Sequence, residues 1–248
     1  MTQRAVILAA GKGERLVKGV PYPKPMKPIL GIPLVGRILR SLAAGGVREV
    51  AVVTGHLGET LRDYLRNEDF GCVLHYFEND EIDKPNGTSL LKAKAFVTEP
   101  TLLLMSDHLW SQGLLRAVRE STLPLDDLVL GIDYNIDACV DLDDATKVCL
   151  DGNRIVEIGK TLPKYNALDT GVFRIGPSLI DALQALDEAE GCSLSQGVAA
   201  LAAEGRAWGA DVGVATWVDV DTPLAYAHAE KKLRELGDAL ESGASERA

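Results

Sequence analysis

The chain predicts an α/β fold of three layers, helices on both faces of a mostly parallel mixed sheet, and three observations carry that expectation. Apolar runs of strand length alternate with helical stretches in the order β-α-β-α-β over the first third of the chain, which implies parallel strands joined by right-handed crossovers. Those runs are continuously apolar, as strands buried on both faces are. No repeat and no inter-domain linker divides the 248 residues, a length that one large domain can fill around a sizeable core. The expected domain spans 1–240, with a small polar, flexible tail over 241–248.

Arg4-Ala5-Val6-Ile7-Leu8 is the first strand, and it opens into Ala9-Ala10-Gly11-Lys12-Gly13-Glu14-Arg15-Leu16. Gly11 and Gly13 let bare backbone N–H groups approach an anion, and a cation adds charge; the same residues also suit a plain strand-to-helix turn that needs glycine for its dihedrals. A dinucleotide fingerprint fails at Leu16, where a third Gly or Ala would stand, and the spacing of a P-loop is absent. Pro21, Pro23, Pro25, Pro28 and Pro33 exclude helix and strand interiors, so this stretch reads as an ordered, extended loop holding Lys24 and Lys27 near the glycines. Pro33 suits a helix start; Leu34, Val35, Ile38, Leu39 and Leu42 recur at helical spacing, and Gly45-Gly46 stops the run.

Val50 to Thr54 is the second strand, Gly58 to Asn67 a helix, and Val73 to Phe77 the third strand. A polar loop over 78–88 leads into a helix from Ser89 to Phe96, with Thr88 or Asn86 as its cap. Thr101 to Met105 is a buried strand ending in Ser106-Asp107-His108. A carboxylate at the C-terminal end of a parallel strand stands where open α/β sheets bind ligands; capping a helix is its other reading. A helix over Gln112–Glu120 and a strand over Leu128–Asp133 complete the regular pattern.

The pattern then changes. Ala145–Leu150 and Arg154–Lys160 read as a hairpin on Asp151-Gly152-Asn153, and Asn166–Ile175, with Asp169-Thr170-Gly171, is a further extended run. Two helices follow, Ser178–Ala189 and Ser193–Glu204, then a strand from Val214 to Val218. Asp219 and Asp221 alternate along extended chain and so point to one face. Thr222 and Pro223 start a last helix to Leu236, with Ala225, Ala229 and Leu233 among its packing residues.

Composition narrows the function. Hydrophobic content of 46% and charged content of 25% are those of a soluble globular protein, and no apolar stretch approaches the roughly 20 residues of a membrane span. The run Ala5–Ala10 is too short for a signal peptide. Cys72, Cys139, Cys149 and Cys192 contain no CxxC, which points to reduced thiols in a cytoplasm and away from structural zinc. A net charge of −10 disfavours nucleic acid as a partner. Residues 1–48 nevertheless hold nine Lys or Arg and one acid, Glu14, which suits a local anion site. Arg37, Arg40 and Arg48 are expected on a solvated helix face. No Ser/His/Asp constellation is present, and His56, His75, His108 and His228 show no metal-ligand spacing.

Leu8-Ala9-Ala10-Gly11-Lys12-Gly13-Glu14-Arg15-Leu16 followed by Pro23-Lys24-Pro25 resembles the opening of the nucleotidyltransferase (sugar-phosphate nucleotidylyltransferase) superfamily, Leu-x-Ala-Gly-x-Gly-x-Arg-Leu and then Pro-Lys. Lys24-Pro25, Asn86-Gly87-Thr88-Ser89-Leu90-Leu91, Met105-Ser106-Asp107-His108, Ala145-Thr146-Lys147-Val148, Ile158-Gly159-Lys160, Leu168-Asp169-Thr170-Gly171 and Trp217-Val218-Asp219-Val220-Asp221-Thr222 are together similar to the CTP:inositol-1-phosphate cytidylyltransferases. The likeness runs from Val6 to about Lys232. The proline-rich segment between Arg15 and Lys24 is longer than that family's. Several of its members carry a fused membrane-embedded phosphotransferase, which this sequence lacks, so a stand-alone soluble version is the expectation.

The resemblance implies a Rossmann-like three-layer domain with a small β-rich insertion, about 134–175, over the acceptor site. It implies a Mg²⁺-dependent enzyme that joins CTP to a phosphorylated or phosphonate acceptor and releases pyrophosphate. Arg15 and Lys24 would stabilise charge on the transferring phosphoryl group. Leu8, Ala9, Ala10, Gly11, Lys12 and Gly13, with Asn86, Gly87, Thr88, Ser89 and Ser106, would bind the nucleotide. Asp107, Asp219 and Asp221 would hold Mg²⁺, which of the last two being left open. His108, Lys147, Lys160, Asp169 and Thr170 would face the acceptor, with Asn166 serving a polyol. Inositol-1-phosphate is the first expected acceptor. Phosphonates (2-hydroxyethyl- or 2-aminoethylphosphonate) and phosphocholine or phosphoethanolamine are the alternatives. A catalytically inactive nucleotide-binding regulatory module is the alternative of another class. Homodimerisation is left open.

Overall fold

β1 (Arg4–Ala9) lies at the heart of the molecule because its residues feed two cores: Ala5, Ile7 and Ala9 face one, Val6 and Leu8 the other. The computed structural model describes residues 2–17 and 19–236, so the tail over 241–248 lies outside the described residues. After β1 come α1 (Glu14–Val17), β2 (Pro28–Ile29), β3 (Ile32–Pro33), α2 (Leu34–Ala44), β4 (Glu49–Thr54), α3 (Gly58–Arg66), β5 (Val73–Glu78) and α4 (Asn86–Lys92). The middle of the chain forms β6 (Thr101–Met105), β7 (His108–Trp110), α5 (Gln112–Arg119), β8 (Leu128–Asp133), β9 (Lys147–Asp151), β10 (Arg154–Gly159) and β11 (Ala167–Ile175). It ends with α6 (Pro177–Leu186), α7 (Leu194–Ala203), β12 (Ala207–Asp211), β13 (Trp217–Asp219) and α8 (Pro223–Leu236).

Nine strands make one sheet in the order β5-β4-β1-β6-β11-β8-β12-β10-β9. β5, β4, β1 and β6 are parallel, as the β-α-β-α-β reading requires. β11 runs antiparallel to β6 and β8. One face carries α2, α3 and α5 over Ile38, Leu42, Leu61 and Leu115; the other carries α4, α6 and α7 over Leu90, Leu183 and Leu201. α7 starts on a capping box in which Ser193 and Gln196 satisfy each other's backbone N–H groups. No described helix is long and apolar enough to cross a membrane.

Several segments differ from the reading above. The β-rich region 134–175 is woven into the main sheet: β11 stands in its middle, and β9 and β10 extend its far edge. β11 also pairs with β9 through Ala167 and Leu168, so that edge curls back over the strand ends. The proline-rich segment contains the two-residue ribbon β2–β3, pairing Pro28 with Pro33 and Ile29 with Ile32. An isolated ribbon tolerates proline because no further strand needs its N–H. Arg37 is not on a solvated face: it is buried and donates to the Ile29 carbonyl at 2.8 Å. Val214 is 90% exposed, and the chain becomes a strand only at Trp217. β12 escaped detection because its alternate residues are small; a Cβ on Gly209 would lie 2.5 Å from Leu150.

Candidate active site

The loop after β1 is built on close approach. Gly13 has φ +62, and a Cβ there would lie 2.4 Å from the Lys24 side chain. Glycine thus serves both the left-handed backbone and the packing of Lys24. Lys24 is 5% exposed, and its ammonium donates to Asp107 Oδ2 at 2.8 Å and pairs with Asp221. Arg15 pairs with Asp221 and with Asp144 Oδ2, the latter at 2.9 Å. Asp107 follows β6, Asp219 ends β13 and Asp221 precedes α8, so three separate elements bring these carboxylates to the ends of the parallel strands. The β13–β7 pairing sets Asp219 opposite His108.

Two cavities meet here. The wider, about 640 Å³, is lined by Thr146, Lys160, Asp169, Gly171, Trp217 and Asp219, among others. The narrower, about 420 Å³, is lined by Leu8, Ala10, Gly11, Gly13, Arg15 and Lys24, with Ser89 and Ser106. Asn86, Met105, Asp107 and Asp221 line both. The shared wall is therefore where two of the three carboxylates expected to bind metal, Asp107 and Asp221, stand.

Charge is balanced tightly across that wall. Burial works against ionisation of Asp107, but the Lys24 ammonium and His108 outweigh it and hold the carboxyl well below the usual range. Burial likewise disfavours a charged His108, yet Asp219, Asp107 and Asp169 push it up to about 9. Asp169 is pushed up to about 6 by burial, and Asp219 is raised by burial and by Asp107. Asp144 is lowered because Lys160 and Arg15 outweigh its burial.

A divalent cation fits this donor set. Ligand atoms of Asp107, His108 and Asp219 lie within 4.8 Å of one another, as do those of Asp144, Asp219 and Asp221. Asp219 Oδ1 is buried and has no hydrogen-bond partner among the described residues, an arrangement that a cation would relieve.

Some expected residues stand elsewhere. Ala9 packs into the core beneath the loop. Lys12 points outward to Asp83 at 2.6 Å. Gly87 packs on the Cys192 backbone, and buried Thr88 lies 3.4 Å from both the Cys192 amide and an Asp187 oxygen. Neither Thr88 nor Asn86 caps α4, which starts after Pro85; Asn86 instead accepts from the Leu194 amide in the first turn of α7 at 2.9 Å. Lys147 is buried and donates to the Asp143 carbonyl at 3.1 Å, so it braces a turn instead of gripping a phosphate. Thr170 faces away from the cavity and donates to the Gly131 carbonyl at 2.8 Å. Asn166 is spent on both backbone groups of Leu150. Lys160 lines the wider cavity, tied to Asp144 at 2.6 Å. Sequence reasoning passed over Asp144; the acidic run Asp141-Leu142-Asp143-Asp144 ahead of the hairpin was the available signal.

Comparisons with known proteins give the family and the fold. The MobA-like NTP transferase domain matches residues 5–149. A protein of Rubrobacter xylanophilus named bifunctional IPC transferase and DIPP synthase is 36% identical over 88% of this chain and 49% of its own length. The chain spans about half the length of the bifunctional relatives it matches. The CMP-5'-(3-aminopropyl)phosphonate synthase of Streptomyces rubellomurinus is 38% identical over 45% of this chain and 18% of its own. The solved inositol-1-phosphate CTP transferase from T. maritima superposes with a TM-score of 0.85 at 27% identity, covering 98% of each chain.

Proposed function

This chain belongs to the MobA-like NTP transferase domain family, and we propose that it is a cytidylyltransferase joining CTP to inositol-1-phosphate, with release of pyrophosphate and formation of CDP-inositol. The observation that carries the reading is the shared wall: Asp107 and Asp221 line both cavities, with Lys24 paired to each. A nucleotide in the narrower cavity and an acceptor in the wider one would meet there.

The loop Leu8–Gly13 cradles the triphosphate through backbone N–H groups. Arg15 and Lys24 leave their carboxylates for phosphate oxygens and stabilise charge on the attacked phosphoryl group and the departing pyrophosphate. Lys160 and His108 orient the acceptor phosphate for in-line attack, and Asp169 and Asp141 accept from its hydroxyls. No protein nucleophile is needed. Asp107, Asp219 and Asp221 would hold Mg²⁺, with Asp144 beside them; when bound, the ion supplies neutralisation and orientation of the phosphate oxygens.

A second reading, transfer of CMP to a phosphonate, is favoured by the likeness to the aminopropylphosphonate synthase and by the acidic wall of Asp133, Asp141 and Asp169, which suits an amine. Pyrophosphate release with Mg²⁺, crossing CTP, UTP, GTP and ATP with inositol-1-phosphate, the two phosphonates, phosphocholine and glucose-1-phosphate, decides. Release with CTP and inositol-1-phosphate alone is expected. Release only with a phosphonate selects the second reading, and no release with any pair sinks both.

A further inference from the structure

One wall of the wider cavity holds a pair, Trp217 and Asp133, that the transfer to inositol-1-phosphate as described leaves unused. Trp217, at the start of β13, donates its indole N–H to Asp133 Oδ2 at 2.8 Å. Asp133 is itself fixed, because its Oδ1 accepts from the Asn135 amide at 2.8 Å. The Trp217 ring lies parallel to the His108 ring, with 7° between planes and 6.0 Å between centroids. The same imidazole abuts Gly171, where a Cβ would lie 2.6 Å from its Cδ2. Its Nδ1 bonds Asp107 Oδ1 at 2.8 Å, which leaves Asp107 Oδ2 to Lys24.

Strand pairing fixes where His108 starts but not the plane of its ring, since rotation about χ2 of a histidine is broad. A parallel aromatic neighbour and a residue without a side chain restrict it. The neighbour is in turn anchored by a charge-assisted bond, stronger than one between neutral groups. The register of β13 thus reaches the His108 ring.

We propose that Trp217, held by Asp133, is a positioning residue for the acceptor half of the reaction: it sets the plane of the His108 ring, which lines the wider cavity alone. The acceptor half rests on the function proposed above; the placement of His108 does not.

Three variants separate the parts. Trp217→Phe keeps a ring and loses the bond to Asp133. Trp217→Leu loses both. Asp133→Asn weakens the anchor alone. The first readout is the imidazole Nδ1–H resonance of His108 in the whole 248-residue chain, free of metal, assigned with His108→Gln. It is expected to be sharp in the wild type, to stay in Trp217→Phe and to shift or broaden beyond detection in Trp217→Leu. The second is the split in KM. The KM for inositol-1-phosphate should rise about tenfold in Trp217→Leu and less in the other two, the scale at which groups supporting a ligating residue act, while the KM for CTP stays within about twofold.

An unchanged resonance and an unchanged acceptor KM in Trp217→Leu overturn the proposal. So does an equal rise in both KM values with a lowered melting temperature, which would mark Trp217 as a packing residue only. If the wild type does not use inositol-1-phosphate, the acceptor reading has failed, and the resonance alone decides whether Trp217 holds His108.

Discussion

Arg15 and Lys160 hold the same carboxylate, one oxygen each: Arg15 Nη2 lies 2.9 Å from Asp144 Oδ2, and Lys160 Nζ lies 2.6 Å from Asp144 Oδ1. Arg15 lines the narrower cavity and Lys160 the wider. A triphosphate must therefore compete with Asp144 and Asp221 for Arg15. In Asp144→Asn one competitor is gone, and CTP should bind the metal-free protein about two- to fivefold more tightly, the worth of a largely exposed ion pair. Calorimetry in EDTA checks this. Unchanged or weaker binding would mean that Asp144 does not restrain Arg15.

Asp107 is expected to matter for turnover far more than for folding. Lys24 loses one partner in Asp107→Ala but keeps Asp221, so no buried ammonium is stranded. Pyrophosphate release should fall on the order of a thousandfold, as when a preorganised electrostatic group is removed, with a melting temperature close to that of the wild type. Retained turnover would remove Asp107 from the reaction.

The fold was legible wherever one signal dominated. Ala5–Ala9, Val50–Thr54 and Thr101–Met105 are strands because an unbroken apolar run between turn signals has one reading, and α2 and α8 followed from spacing and proline. β12 was not legible, because Ala207, Gly209 and Ala210 are small, Gly209 to fit under Leu150, and small residues carry no periodicity. Site residues behaved likewise. Arg15, Lys24, Asp107, Asp219 and Asp221 do converge, as their motifs implied, whereas Lys147, Thr170 and Asn166 turn away. On a strand adjacent side chains point to opposite faces, so in Asp169-Thr170 only one can reach the cavity. The bonds from Arg15 to Asp144 and from Trp217 to Asp133 span 129 and 84 residues of sequence, which no local pattern reveals.

His108 supplies a pH test in the metal-free protein. Its folded value, about 9, lies above its ordinary 6.5 because Asp219, Asp107 and Asp169 outweigh burial. A raised value means stabilisation that is complete below pH 6.5 and is lost as pH rises through 9. Denaturant unfolding of wild type and His108→Gln should therefore give a stability difference that shrinks by about 3 kcal/mol at most between pH 6 and 10. A difference that stays flat over that window would show that the aspartates do not hold a charged imidazole.

Thr170 and Lys160, both first expected at the acceptor, should now separate. Thr170 is fully buried and its hydroxyl satisfies the Gly131 carbonyl. Thr170→Val keeps the shape and strands that acceptor, which costs about 1–3 kcal/mol of stability and leaves the acceptor KM alone. Lys160→Ala removes a half-exposed ammonium that lines the cavity. Stability should change by less than about 1 kcal/mol, while the KM for the phosphorylated acceptor rises. Urea unfolding and steady-state kinetics on the two variants check both halves. A raised acceptor KM in Thr170→Val with stability intact would return Thr170 to the cavity wall and contradict the orientation of β11 described above.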